Sequence, residues 1–218
     1  TDELTTLGLW GPRARDVLQA VTADDVSNEA LPYMKAKTIT IRGAKVLAQR
    51  VTYVGELGWE LYIDPAWAVQ VWDALMAAGA SCGIRPFGVE AQRVMRLEKG
   101  HIIVGQDTDG LTHPAEAGME WALAKKKPFY VGKRAVDMQM AKGVARKLAG
   151  FTLIDPEAPP PKECHLVIRD GDIIGRVTSC THSPTLGKVV GLAYLPPDLA
   201  AAGKRFEIRI DGGRMVEA

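Results

Sequence analysis

Polar and apolar positions change period along this chain, and the period names the elements. Residues Thr38-Ile39-Thr40-Ile41-Arg42 alternate strictly, which marks a strand with one buried face. Gly43 turns the chain into an apolar run at 45–53, and a second run follows at 59–63. Ahead of these, 4–10 reads as a short buried strand that Gly11-Pro12 breaks. Pro12 suits the first turn of a helix reaching Val21, with Val17, Leu18 and Val21 on its apolar side. After the second run, Asp64 is a good N-cap and Pro65 a good first helical residue. Ala68, Val71, Trp72, Leu75 and Met76 recur at helical spacing, and Gly79 marks the stop. Trp67 and Trp72 are assigned to core packing. A helix over 88–98 follows Pro86, with Ala91, Val94 and Leu97 as its buried stripe. Arg93 and Arg96 lie three apart and share a face at the edge of that stripe, as a solvated edge or an anion clamp. Another helix is expected over 132–140.

From about 146 the period becomes two. Runs at 147–153, 165–169, 173–178, 188–194 and 205–210 read as strands, and Asp170-Gly171-Asp172 is a hairpin turn between two of them. The expectation is an α+β protein: a mixed domain over 1–144, then a small β-barrel domain over 145–218.

The densest chemistry lies between the two apolar runs, in Tyr53-Val54-Gly55-Glu56-Leu57-Gly58-Trp59-Glu60-Leu61. Gly55 and Gly58 predict a tight turn that needs positive φ or close backbone approach. If Tyr53 ends the incoming strand and Glu60 lies in the outgoing one, a ring and a carboxylate face one cavity. That pairing suits a flat heterocycle: the ring packs on it and the carboxylate accepts two parallel N–H bonds. An ordinary hairpin with a solvated Glu60 is the competing reading. Glu56 reads as a turn residue.

Composition narrows the function class. The chain has 218 residues, 47% hydrophobic and 24% charged, which is that of a folded protein rather than a disordered one. A net charge of +1 gives no field favouring nucleic acid or an anionic membrane. No apolar run is long enough to span a bilayer, and the acidic start lacks a secretory leader's apolar segment. Cys82, Cys164 and Cys180 show no paired spacing, so a disulfide framework or zinc site is not expected and a reducing, cytoplasmic setting fits. The four histidines show no metal-ligand spacing. Both termini read as cut from something longer.

Absent motifs exclude further chemistry. No G-x-G-x-x-G dinucleotide fingerprint occurs, Gly132-Lys133 is not a phosphate loop, and no G-x-S-x-G elbow is present. Asp107-Thr108-Asp109-Gly110 fails the calcium-loop pattern and reads as a structural turn. Lys125-Lys126-Lys127-Pro128 reads as a solvated loop.

Taken in order, several segments resemble the glycine-cleavage T-protein (aminomethyltransferase) family. They are Leu9-Trp10-Gly11-Pro12-Arg13-Ala14, the stretch from Tyr53 to Glu60, Arg93-Val94-Met95-Arg96-Leu97-Glu98-Lys99-Gly100, Gly175-Arg176-Val177-Thr178-Ser179 and Ser183-Pro184-Thr185-Leu186-Gly187-Lys188. The run from Arg96 to Gly110 is similar to one branch, the sarcosine oxidase α subunit, whose C-terminal half is T-protein-like.

The resemblance implies tetrahydrofolate as cofactor, contacted by Tyr53 and Glu60, with Glu60 pairing with the pterin and Arg93 in or near the folate site. The family's catalytic aspartate would lie upstream of this chain, so the catalytic residue is unknown here. The first part of the folate domain would be missing, and the piece alone would not be active. Val54 departs from the family's Thr. On this reading flavin and NAD sit on other parts of a heterotetrameric complex, an amine is oxidised there, and the one-carbon unit passes to tetrahydrofolate, leaving glycine and 5,10-methylenetetrahydrofolate. The partners are then the other oxidase subunits and the small amine or imine, with no nucleic acid and no membrane. Alternatives are a glycine cleavage aminomethyltransferase, a dimethylglycine or sarcosine dehydrogenase C-terminal domain, or a non-catalytic folate-binding or subunit-docking module. In that last role Trp10, Trp67, Trp72 and Phe87 would supply the interface.

Overall fold

A computed structural model describes residues 2–218, which divide into two compact units, one reaching to Arg93 and one running from Val94 to Ala218.

The first unit is a four-stranded antiparallel sheet with two helices on one face. Its strands are β1 (Thr5–Trp10), β2 (Ala36–Ile41), β3 (Ala44–Gln49) and β4 (Gly58–Ile63), in the order β1-β4-β3-β2. Helix α1 (Ala14–Val21) and helix α2 (Ala68–Gly79) cover the face that carries Leu9, Ile39, Ile41, Val46, Trp59, Leu61 and Ile63. The period-two pattern therefore delivers one apolar side to the helices and leaves the other with Gly8, Trp10, Glu60 and Tyr62. Asp64 caps as its position predicts, its Oδ1 accepting from Ala66 N at 2.9 Å.

Several expectations are corrected. The 45–53 run does not stay extended: β3 ends at Gln49, and Tyr53 lies in the irregular stretch beyond. Trp67 and Trp72 are not core residues, since both are exposed. They lie off the α2 stripe that Val71 and Leu75 bury. Gly79 is the last residue of its helix, as expected, and it is buried where a Cβ would strike Ile84; a single 3-10 turn over Ala80–Cys82 follows, and the left-handed residue is Gly83, with φ +74°.

Helix α3 (Val89–Lys99) buries Leu97, as the expected stripe has it, together with Arg96; Val94 is half-buried and Ala91 exposed.

The second unit holds helix α4 (Lys133–Lys142) and a curled six-stranded antiparallel sheet. Its strands are β5 (Lys147–Thr152), β6 (Leu166–Arg169), β7 (Asp172–Ser183), β8 (Lys188–Leu195), β9 (Glu207–Arg209) and β10 (Met215–Glu217), in the order β10-β9-β6-β7-β8-β5. The sheet curls far enough for Ile154 N, just past β5, to donate to Glu217 O at 3.0 Å. Val167, Val177, Ala193, Leu195 and Ile208 fill the interior, with Phe151 and Phe206 edge to face at 5.8 Å. Asp170 and Gly171 both have positive φ, 54° and 88°, as a two-residue hairpin of this hand requires.

One buried polar cluster stands out in this unit. Arg96 is 3% exposed and Asp107 fully buried, with Nη1 to Oδ2 at 2.7 Å. A bulge in β7 breaks the register between Val177 and Ser179, so neighbouring Thr178 and Ser179 both reach Asp107 Oδ1, at 2.5 and 2.6 Å. Ile103 N donates to Asp107 Oδ2 at 2.8 Å, and Arg96 also donates to His101 O and Ser179 Oγ. The solvated edge expected for Arg96 is thus a buried ion pair, and the Asp107 turn is its seat.

Candidate functional site

The glycine motif builds its site through Trp10. Gly55 takes φ +84°, with its N–H held by Thr52 Oγ1 at 3.0 Å, so the chain reverses at this point. Gly58 supplies the close approach: a Cβ there would run into the Leu9 carbonyl and Trp10. The turn is tied back to β1, since Gly11 N donates to Leu57 O at 2.8 Å and Trp10 Nε1 to Val51 O at 3.2 Å. The second bond tethers the Nε1 edge of the indole to the turn. Its ring lies beside Phe87, with centroids 6.2 Å apart and planes 42° apart.

Glu60 follows in β4, opposite Gly8 in β1. Its partner across the strand has no side chain, and the Trp10 ring occupies that place, 2.4–2.9 Å from where a Cβ would stand. A cavity of about 490 Å³ lies here, within the size range of small-molecule sites. Glu60, Gly8, Trp10, Trp72, Phe87 and Gln92 are among its lining residues. Tyr62, two residues on and on the same side of the strand, donates its hydroxyl to Glu60 Oε2 at 2.6 Å. That bond to an acceptor carboxylate, followed by burial, raises the phenol above its ordinary pKa. A carboxylate has about four acceptor positions, so one bond from Tyr62 leaves capacity for two parallel donors on a ligand.

The three residues expected at the site have different placements. Glu60 is on the cavity wall. Tyr53 is half-buried in the turn and is not among the residues that line the cavity. Arg93 is half-exposed and 3.5 Å from Glu90, one position past the cavity-lining Gln92. Sequence reasoning missed Trp10 and Phe87 as the aromatic wall. The signal available was the Trp-Gly-Pro segment, which the β1–β4 pairing carries to Gly58. Among the described residues no cluster of His, Cys, Asp or Glu has the makings of a metal site, and no helix is long and apolar enough to cross a membrane.

Residues 1–127 match the GCVT N-terminal domain, more than half of the chain. The chain belongs to the GCVT family. Residues 146–218 match the glycine cleavage T-protein C-terminal barrel domain, the curled sheet described above. The fold is accordingly α+β, a GCVT-like domain followed by an all-β barrel. An aminomethyltransferase of Halothermothrix orenii is 40% identical over 95% of this chain, which covers 57% of that protein. The human mitochondrial dimethylglycine dehydrogenase is 36% identical over 97% of the chain, but the chain covers only 24% of it. The glycine cleavage system aminomethyltransferase T of Bartonella henselae superposes with a TM-score of 0.83 at 25% identity, over 98% of this GCVT chain and 57% of that one. The GCVT chain thus spans about half the length of the aminomethyltransferase relatives it matches.

Proposed function

We propose that this chain holds tetrahydrofolate and serves the transfer of a one-carbon unit from an aminomethyl or N-methyl amine to it. The observation that carries the reading is the Glu60 carboxylate on the wall of a cavity flanked by Trp10 and Phe87. Tetrahydrofolate supplies the nitrogens that accept the one-carbon unit. Its pterin edge presents adjacent N–H groups, which a carboxylate matches with two charge-assisted bonds, each contributing roughly 1.5–3 kcal/mol. The donor set fits: Glu60 accepts, Tyr62 fixes one of its oxygens, and the apolar rings exclude water from the flat faces of the heterocycle. The chain's own contribution is orientation and shielding rather than covalent chemistry.

The relatives favour the aminomethyltransferase or dimethylglycine dehydrogenase alternative over the sarcosine oxidase branch. They comprise a transferase and an oxidoreductase that share this segment, and folate-dependent one-carbon transfer is the task that segment would serve in both. Calorimetric titration of tetrahydrofolate into the wild type and Glu60→Gln tests the reading. About tenfold weaker binding in the variant is expected from one lost charge-assisted bond. Equal affinity would remove Glu60 from the site.

A further inference from the structure

We propose that the outer edge of β5 receives an extended segment of another polypeptide, apolar in its middle and acidic at its ends, as a further strand of the curled sheet. The backbone pattern carries the inference. β5 is the last strand in the order β10-β9-β6-β7-β8-β5, so only its β8 side is paired along its length. In an antiparallel strand, successive residues aim their N–H and C=O groups to opposite sides. Leu153 N donates inward to Val189 O at 3.2 Å, whereas Leu148 N donates outward to Glu116 O at 2.6 Å and Ile154 N outward to Glu217 O at 3.0 Å. The even-numbered residues therefore face away from β8. Gly150 and Thr152 lie between the two outward bonds, are exposed, and have no outward backbone partner among the described residues. They offer N–H and C=O groups at a repeat of roughly 6.6 Å, two residues of strand, which an extended polypeptide matches bond for bond.

Space lies beside that edge. A cavity of about 900 Å³ touches Leu148, Ala149, Gly150, Phe151 and Thr152 in turn. Consecutive strand residues point to opposite faces, so a cavity that meets five in a row runs along the edge and not over one face. Both of its walls are apolar: Phe206 and Leu199 come from the interior cluster of the sheet, Leu97 and Ile102 from the smaller cluster outside it. A strand entering here buries side chains to either side, which calls for an apolar middle. Gly150 adds no side chain, so a second backbone can come close. From Leu148 to Ile154 the sequence has neither proline nor charge, two devices that blunt an exposed edge. Charge then selects the partner. Lys99, Lys204 and Arg205 line the cavity and are exposed. Its one acidic lining residue, Glu98, is occupied, since its Oε1 accepts from Ser183 Oγ. Acidic residues flanking the apolar middle answer these cations.

The test titrates the whole chain with a labelled peptide of alternating valine and threonine, with glutamates at both ends. Fluorescence anisotropy should show saturable binding at about 10–100 μM. Exchange of the Gly150 and Thr152 amides should slow about tenfold or more in the complex, while the amides already bonded to β8 change little. Thr152→Pro deletes one outward N–H and no bond to β8, so the sheet should keep its near-UV circular dichroism and the affinity should fall about tenfold. The same peptide with N-methylated backbone nitrogens removes the donors from the other side, and should not bind even if that variant fails to fold. Lys204→Glu should weaken binding several-fold at low salt and less at high salt. The proposal fails if the peptide does not bind, if the N-methylated peptide binds equally, or if lysines in place of its glutamates leave the affinity unchanged. It fails too if the protected amides lie elsewhere, or if the chain already dimerises through β5, which would make a second copy the occupant. None of these readouts involves folate, so the proposal stands or falls apart from the reading of Glu60.

Discussion

Tyr62 and Glu60 project from one side of β4, and the tyrosine hydroxyl donates a hydrogen bond to the glutamate's Oε2 at 2.6 Å. The bond sets which way the carboxylate plane faces. Tyr62→Phe should leave the sheet folded, with a cost of about 1 kcal/mol for a half-buried hydrogen bond. Tetrahydrofolate binding should weaken about three- to tenfold, since the carboxylate regains rotational freedom but keeps its charge. Calorimetry on Tyr62→Phe, Glu60→Gln and the double variant checks this. The double variant should bind no worse than Glu60→Gln alone, because Tyr62 acts through Glu60.

Gly8 and Gly58 both touch Trp10 but should respond differently to an added methyl. At Gly8 a Cβ meets only the far end of the indole, which can swing. At Gly58 it meets the Leu9 carbonyl and the Trp10 backbone, which cannot move without opening the β1–β4 pairing. Gly8→Ala is therefore expected to weaken folate binding with a stability loss near the low end of about 1–3 kcal/mol. Gly58→Ala should lose about 1–3 kcal/mol or more and broaden the unfolding transition. Urea denaturation of the two variants separates them.

What the sequence disclosed and what it withheld follows from range. Asp64-Pro65 and Asp170-Gly171 were legible because capping and hairpin geometry depend on adjacent residues. The paired glycines of the 53–61 motif were legible for the same reason, and Gly55 and Gly58 take the two roles foreseen for them. The aromatic wall was not legible. Trp10 joins the site because β1 lies beside β4, and that pairing joins residues 48 positions apart in sequence, Trp10 and Gly58. Arg96 misled because spacing places a residue on a helix face without saying what lies opposite. Its counter-charge sits on a separate turn, and its other partner depends on a bulge in β7 that no periodicity announces. Strand β10 was missed because three residues give too short an alternation to register.

The Arg96–Asp107 pair carries its own prediction. Asp107 accepts from Arg96, Thr178, Ser179 and Ile103 N, so the carboxylate is fully saturated inside the fold. Arg96→Met leaves a buried anion with neutral donors only, and should cost about 3–5 kcal/mol. Asp107→Asn strands the guanidinium in the same way. Arg96→Met with Asp107→Leu removes both charges and should recover part of that loss. The denaturant midpoint followed by near-UV circular dichroism reads the cycle. Additive losses would mean the two side chains do not depend on each other.

Cys180 should make the second unit sensitive to alkali. Burial in β7 pushes its thiol up from 9.0 to about 12, because the thiolate would lose its hydration. Below pH 9 the thiol is protonated in both the folded and unfolded chain, so it adds no pH dependence. Between 9 and about 12 the unfolded chain releases the proton while the folded chain keeps it. Stability therefore falls as pH rises through that window, by at most about 1.4 kcal/mol per unit. Tyr62 and Tyr194 are raised as well and add to the wild-type slope, so the informative quantity is the difference from Cys180→Ala, whose profile should be flatter. Denaturant midpoints at pH 8, 9.5 and 10.5 measure it. The same burial predicts that at pH 8 iodoacetamide alkylates the exposed Cys164 well before Cys180, which peptide mass mapping reads directly.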